Sequence, residues 1–186
     1  ITYNLNDGAL PTGLSNPEEY TVNTNTFTLN TPVKLGYTFE GWTGTNGSTP
    51  QETITITKGS INNREYVANW IANTDTHYTV EHYKENLDGT YTKVTEDTET
   101  KTATTDSNVT AVAKTYDGYT LDTNNENAVP SGKVSADESL VLKLYYKRNM
   151  YTLELIAGAN VENVTYAISS ENSAVIASGT DLTNTD

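Results

Sequence analysis

The feature that most constrains the fold is an internal repeat. Three segments begin alike and lie about 75 residues apart: Ile1-Thr2-Tyr3, Tyr78-Thr79-Val80 and Tyr151-Thr152-Leu153. A second pair of similar segments is Gly36-Tyr37-Thr38 and Gly118-Tyr119-Thr120. Self-similarity at a fixed spacing is the sequence signature of repeated structural modules. The repeat therefore predicts several small modules in tandem rather than one large core.

The ends of the repeats set the module boundaries. The first two repeats each end on an alternating apolar segment, at Tyr66–Trp70 and Leu140–Tyr146, before a short polar stretch. We therefore predict modules at residues 1–71 and 77–149, followed by a partial third module at residues 150–186. Because both junctions are short, we expect neighbouring modules to be held close together.

Strand signals dominate each repeat. Apolar residues alternate with polar ones at Ile1/Tyr3/Leu5, Phe27/Leu29, Ile54/Ile56, Tyr66/Ala68/Trp70, Tyr78/Val80, Val109/Ala111/Ala113 and Leu140/Leu142/Leu144, which is typical of half-buried strands. Asp88-Gly89 separates two such runs and predicts a hairpin, and Asn6-Asp7-Gly8 predicts a turn after the first strand. At most one short helical turn is expected, after Asn16-Pro17. The fold class that follows is mainly β.

The composition and charge of the chain argue against several classes of function and partner. The 34 threonines favour strands and the 21 asparagines favour turns. The net charge of −13 disfavours nucleic acids and anionic membrane surfaces as partners, since each requires a basic face. No apolar run approaches the ~18 residues that a membrane-spanning helix requires. The absence of cysteine excludes disulfides and thiol catalysis. No signal peptide is visible, so we expect a mature fragment of a longer protein.

The first repeat resembles a known module. It contains Tyr3-Asn4-Leu5-Asn6-Asp7-Gly8, Leu29-Asn30-Thr31-Pro32, Gly36-Tyr37-Thr38-Phe39-Glu40-Gly41-Trp42 and Ala68-Asn69-Trp70. These segments resemble the Listeria–Bacteroides repeat, also called the internalin B-repeat, with a departure at Asp7, where the family usually has a second glycine.

The second repeat is similar to the repeats of mucin-binding proteins. The segments that carry this resemblance are Val80-Glu81-His82-Tyr83, Leu87-Asp88-Gly89-Thr90-Tyr91, Gly118-Tyr119 and Leu144-Tyr145-Tyr146. Together the two resemblances imply small β-grasp-like (ubiquitin-like) modules in an elongated array. They also imply an extracellular protein, secreted and attached to the cell wall at the bacterial surface.

The segment Gly36–Trp42 has two interpretations. It is either an exposed aromatic platform for glycans or a glycine-rich corner whose Tyr37, Phe39 and Trp42 fill a small core. We favour the corner, because a chain with only two phenylalanines and two tryptophans needs these rings for its core. We expect Trp42 and Trp70 to share that core.

No motif supports catalysis, a cofactor or a metal site. His77 and His82 are five residues apart on a predicted strand and should point to opposite faces, so they do not converge on a metal. The run Asp122–Glu126 lacks the glycine and the glutamate of an EF-hand, since Asn127 and Lys133 occupy those positions. The chain has no Gly-x-Ser-x-Gly elbow, phosphate loop or His-Glu-x-x-His motif. We therefore predict a protein that is not an enzyme.

With enzyme activity not expected, two other functional hypotheses remain. The leading one is a stalk, or spacer, that projects a distal domain from the cell wall and contacts only neighbouring modules of its own chain. The alternative is an adhesin whose modules bind host mucin, another glycan or a surface protein directly. The adhesin hypothesis requires an exposed tyrosine cluster, for which the candidates are Tyr83, Tyr91, Tyr116 and Tyr119. The exposure of these four rings distinguishes the two hypotheses.

Overall fold

Strands form nearly all of the regular structure, as the β-branched and turn-rich sequence predicts. The computed structural model describes residues 1–151, 166–169 and 175–179. Within these residues the only helix is one 3₁₀ turn at Thr95–Asp97. The mainly β fold class is therefore confirmed. Residues 1–148 form one compact body and residues 149–186 form another.

Residues 1–72, the first half of the larger body, contain six strands. They are β1 (Thr2–Asn4), β2 (Phe27–Thr28), β3 (Tyr37–Gly44), β4 (Gly47–Gln51), β5 (Thr55–Ile56) and β6 (Glu65–Ala72). Four of them form a sheet in the order β1-β6-β3-β4, and β2 pairs with β5 in a separate antiparallel ribbon. The first strand, β1, runs parallel to the last, β6, while β3 is antiparallel to β6.

The core of the first half lies between the sheet and the ribbon. Its buried members are Leu29, Trp42, Ile54, Ile56, Tyr66 and Ala68, with Phe39 and Trp70 packed against them. The Phe39 ring lies between the two indoles, with its centroid 5.5 Å from that of Trp42 and 5.4 Å from that of Trp70. The expectation that both tryptophans share one core is confirmed.

Most of the segment Gly36–Trp42 is a strand rather than the expected corner. Gly36 lies in a turn, and Tyr37–Trp42 belong to β3, which pairs along β6 from Tyr37 to Gly44. A β-bulge between Phe39 and Gly41 adds one residue to this strand, so that Phe39 and Trp42, three positions apart, both face the core. The alternation is broken at the bulge, which is why period-2 reasoning did not recognise a strand here. Trp42 is completely buried, which contradicts an exposed platform.

Residues 76–148, the second half, contain seven strands. They are β7 (Thr76–Glu85), β8 (Tyr91–Lys93), β9 (Glu99–Ala103), β10 (Asn108–Thr110), β11 (Tyr119–Leu121), β12 (Ser131–Lys133) and β13 (Val141–Arg148). The main sheet has the order β11-β13-β7-β8, with β9 also paired to β7, and β10 pairs with β12 separately. The first strand, β7, again runs parallel to the last, β13. Each half thus joins its first and last strands in parallel, and the pairings are confined to strands of the same half.

The predicted turns are confirmed, one of them with a different geometry. Asn6 and Asp7 both have positive φ, at 48° and 64°, and the Gly8 N–H donates to the Leu5 carbonyl over 3.0 Å. This is the pattern of a type I′ turn. The predicted hairpin joins β7 to β8, but its loop spans 86–90 and only Gly89 has positive φ there. That loop is therefore longer than a two-residue type I′ turn.

The body formed by residues 149–186 contains two described strands. They are β14 (Tyr166–Ser169) and β15 (Val175–Gly179), which pair antiparallel with a register shift after Ile168. The apolar residues of the segment 150–186 predict three short strands, at 151–156, 164–168 and 174–178, and β14 and β15 lie close to the last two. The first predicted strand, at 151–156, lies almost entirely outside the described residues. The assignment of residues 150–186 as a partial module remains a prediction.

Candidate functional site

The two halves of the larger body meet at a built junction. The chain crosses from β6 to β7 through only three residues, 73–75. The turn Lys34–Tyr37, whose last residue begins β3, is closed by a hydrogen bond of 3.1 Å from the Tyr37 N–H to the Lys34 carbonyl. Its third residue, Gly36, has a φ of +74°, which a residue with a side chain rarely adopts. We call Lys34–Tyr37 the junction turn.

The second half caps the junction turn with Thr105, a buried residue beyond β9. The Thr105 hydroxyl donates to the Gly36 carbonyl over 2.8 Å, and the Thr105 N–H donates to the Asn73 carbonyl over 2.9 Å. The Asn73 N–H donates to the same Gly36 carbonyl over 3.0 Å. The Thr105 hydroxyl is also 2.6 Å from the Thr76 hydroxyl at the start of β7. These bonds fix the linker and the turn against one another.

An acid–phenol pair adds a charge-assisted contact across the junction. The Tyr37 hydroxyl donates to the Asp106 carboxylate, which also accepts a bond of 2.8 Å from the Lys133 ammonium. Lys133 first, and Tyr37 second, hold the pKa of Asp106 below its usual value. The Lys34 ammonium lies 4.5 Å from the centre of the Tyr37 ring, so the two side chains also form a cation–π contact.

The junction is also closely packed. A Cβ placed on Gly36 would lie 2.7 Å from the Ala136 Cβ, 3.0 Å from the Ala136 Cα and 3.0 Å from the Thr105 Cγ2. Two of these atoms belong to an alanine, which has no side-chain rotamer with which to move away. Even a methyl group on Gly36 would therefore push the two halves apart. Hydrogen bonds and close packing therefore both hold the two halves together at the junction.

The four candidate tyrosines do not form one cluster. Tyr83 and Tyr91 lie on the outer face of the second sheet, against Tyr145, with ring centroids 4.7 Å and 5.1 Å from it. Tyr116 and Tyr119 lie on the opposite face, since both rings flank the ammonium of Lys84, each at 5.2 Å. All four rings are half-buried.

Tyr83 is also committed to a local network. Its hydroxyl donates to Glu81 over 2.6 Å, which with burial raises its pKa to about 12. Glu81 in turn accepts a bond of 2.7 Å from the Lys93 ammonium. The polar atom with which this ring would recognise a ligand is therefore already paired within the chain.

A buried histidine lies inside the second half. His82 is completely buried, and its Nδ1 is 2.9 Å from the Tyr146 hydroxyl. That hydroxyl also accepts the Lys114 N–H over 2.9 Å. Among the described residues, Nε2 has no hydrogen-bond partner, and it lies 3.7 Å from a Glu99 oxygen. Burial lowers the pKa of His82, the Lys114 ammonium adds to this, and the Glu99 carboxylate opposes it.

The two histidines lie on opposite faces of β7, as predicted. His77 is exposed and lies 3.1 Å from Glu138, whereas His82 faces the core.

In the run Asp122–Glu126, Asp122 is buried and accepts the Asn124 N–H over 3.2 Å, beside the Lys147 ammonium at 3.3 Å. Within the described ranges, no three His, Asp or Glu side chains converge as metal ligands.

The residues that build the junction were only partly visible in the sequence. The sequence singles out the Gly36-Tyr37 pair, but as part of a core rather than as a contact between repeats. Thr105, Asp106 and Ala136 were missed, because single small residues in polar loops carry no periodic signal. The recurrence of Gly-Tyr-Thr at 118–120 is the one signal that could have shown the segment to belong to a repeat boundary.

Comparison with known proteins adds no further assignment. A scan of family models, a search of curated proteins and a search of solved structures each return no match to this chain. In the part of the chain that the structure describes, no helix has the length and apolarity needed to cross a membrane.

Proposed function

We propose that this chain is a non-enzymatic spacer segment of a bacterial cell-surface protein, which projects a distal domain from the cell wall. The observation that carries the proposal is the junction of Gly36, Tyr37, Asn73, Thr105 and Asp106. A spacer must transmit position from one module to the next, and it does so only where the modules cannot swivel. A three-residue linker held by bonds from both sides meets that requirement.

The strand topology supports the finer assignment of the modules. Both halves pair their first and last strands in parallel, which agrees with the tandem β-grasp-like modules implied by the sequence resemblance. The resemblance also supplies the proposed extracellular location and the elongated array. The acidic, threonine-rich composition fits a surface that stays hydrated and does not adhere to nucleic acid.

The tyrosine geometry favours the spacer over the adhesin. Binding surfaces concentrate their energy in central anchors that a partner can bury. Here Tyr83 and Tyr91 lie on one face of the sheet, Tyr116 and Tyr119 lie on the other, and all four rings already pack against neighbours. Each face therefore offers two half-buried rings rather than a common patch of four.

Distances between the halves test the proposal. The chain has no cysteine, so Lys58→Cys and Leu87→Cys give one exposed labelling site in each half. Two nitroxide labels should give a single narrow distance distribution in a pulsed dipolar measurement, unchanged by salt. A broad distribution would mean that the halves swivel, and it would remove the basis for a spacer.

The adhesin alternative has its own measurement. The spacer proposal predicts that the chain passes over mucin-coated beads without retention. Retention that is lost in Tyr83→Ala and kept in a variant of the exposed Leu87, Leu87→Ala, would favour the adhesin instead.

A further inference from the structure

The second half carries a structural copy of the junction turn. The turn Tyr116–Tyr119 is closed by the same bond, from the N–H of its fourth residue to the carbonyl of its first, over 3.0 Å. Its third residue, Gly118, has a φ of +79°, against +74° for Gly36. We call Tyr116–Tyr119 the second turn.

The two turns occupy equivalent places in the two sheets. Each leads into a strand that runs antiparallel to the last strand of its half. Tyr37 pairs with Ala72, the final residue of β6, and Tyr119 pairs with Arg148, the final residue of β13. Both turns therefore stand at the end of a half, where the chain leaves it for the next segment.

The tyrosines of the two turns also have similar surroundings. The Tyr37 ring faces the ammonium of Lys34 at 4.5 Å, and the Tyr119 ring faces that of Lys84 at 5.2 Å. Each ring is thus held in place by a cation on its face. The similarity therefore extends from the backbone to the side chain that makes the junction contact.

The turns differ in what covers them. The junction turn is covered by Thr105 and Asp106, which take the Gly36 carbonyl and the Tyr37 hydroxyl. In the second turn, the Tyr119 hydroxyl makes no hydrogen bond with any described residue. Among the same residues, nothing lies within 4 Å of a Cβ placed on Gly118. Among the residues that the structure describes, the second turn has the form of the junction turn without its cover.

We propose that the second turn is the docking surface for a further β module that presents a Thr-Asp pair, as residues 105 and 106 do in the second half. The threonine hydroxyl would donate to the Gly118 carbonyl, and the aspartate would accept the Tyr119 hydroxyl. A small side chain in the place of Ala136 would lie over Gly118. This inference rests on the proposed spacer function, because it describes how the same joint is used again to extend the array.

The test inserts one more copy of residues 73–148 directly after Arg148, so that nothing is removed from the chain. Gly118→Ala and Gly89→Ala are then compared in the present chain and, at the original positions, in the extended chain. The two glycines are matched, since both have a φ near +80° and neither has a described atom within 4 Å of its Cβ position. Both substitutions should lower the Tm of the present chain equally.

In the extended chain the two variants should separate. Gly118→Ala should lower Tm by about 4 °C or more beyond Gly89→Ala, because only at Gly118 would the methyl group meet a docked module. Equal shifts in the extended chain would overturn the proposal. The spacer function is judged separately, from the distance between Lys58→Cys and Leu87→Cys, so the two failures are distinguishable.

A second measurement remains decisive if the inserted copy does not fold. The ¹⁵N-labelled present chain is mixed at about millimolar concentration with an unlabelled Gly36→Val chain, in which we expect the valine to displace the Thr105–Asp106 pair from its own junction turn. Amide shifts should be centred on residues 118–120. They should vanish when the Gly36→Val chain also carries Asp106→Asn and Thr105→Val. No shift, or shifts centred on another surface such as one between identical copies, would overturn the proposal.

Discussion

Replacing Gly36 by alanine should break the junction, and a matched control separates backbone strain from the steric effect. Gly36 and Gly13 both lie in the first half with positive φ, at +74° and +84°. A Cβ on Gly13 meets no described atom within 4 Å, whereas one on Gly36 would lie 2.7 Å from the Ala136 Cβ. Both variants carry the cost of a left-handed alanine, about 1–2 kcal/mol. Only Gly36→Ala adds the clash.

The added cost can be estimated from the contacts. Forcing a methyl group into a closely packed site costs typically ~1–3 kcal/mol. If the halves separate to avoid the clash, the bonds from Thr105 to Gly36 and Asn73 are lost, at about 0.5–1.5 kcal/mol each. Either route makes Gly36→Ala about 1–3 kcal/mol less stable than Gly13→Ala.

Urea unfolding followed by tryptophan fluorescence measures this difference, because Trp42 and Trp70 both lie in the core of the first half. The fitted m-value shows whether the transition remains two-state, since uncoupled halves would expose less surface in each step. If Gly36→Ala and Gly13→Ala unfold with the same free energy and the same m-value, then Gly36 is not tightly packed against the second half and the reasoning is refuted.

Two further substitutions test the cores. Trp42→Ala should lower the free energy of unfolding by about 3–5 kcal/mol, as large aromatic truncations do. Ile71→Ala, on the exposed side of the same strand pair, should change it by at most about 0.5 kcal/mol. Coincident urea curves for the two variants would contradict this. Burial holds the pKa of His82 below its value in the unfolded chain, which is about 6.5. The stability that neutral His82 contributes is therefore fully present above about pH 6.5 and is lost as the pH falls below it, by at most about 1.4 kcal/mol per pH unit. This slope between pH 7 and 5.5 should persist in His77→Gln and flatten in His82→Gln, and a slope that survives in His82→Gln would show that another group is responsible.

Local features of the fold were predictable from the sequence. The shared core of Trp42 and Trp70 follows from the scarcity of large aromatic rings in the chain. The turn at Asn6-Asp7-Gly8 and the hairpin at Asp88-Gly89 follow from residue types within a few positions of one another. In such places the backbone preference and the apolar pattern give the same answer. The β3 strand could not be predicted in this way, because the bulge before Gly41 interrupts the alternation of apolar and polar residues.

The junction could not be predicted, for a different reason. The bond from Thr105 to Gly36 joins residues 69 apart, through a hydroxyl in a polar loop. Thirty-four threonines give no means of choosing this one. The burial of His82, by contrast, could be predicted, since Tyr78, Val80 and His82 lie on the same buried face of β7 at alternating positions.

The rigidity of the junction is tested most directly by asking whether residues 1–72 and 76–148 tumble as one rigid body in solution. Backbone ¹⁵N relaxation reports the rotational diffusion of each half separately from its own amides. We expect one diffusion tensor to fit the ordered amides of both halves, and we expect Gly36→Ala to make the two sets diverge. Two different tensors in the unaltered chain, each with the shorter correlation time of a body of about 70 residues, would contradict the central claim.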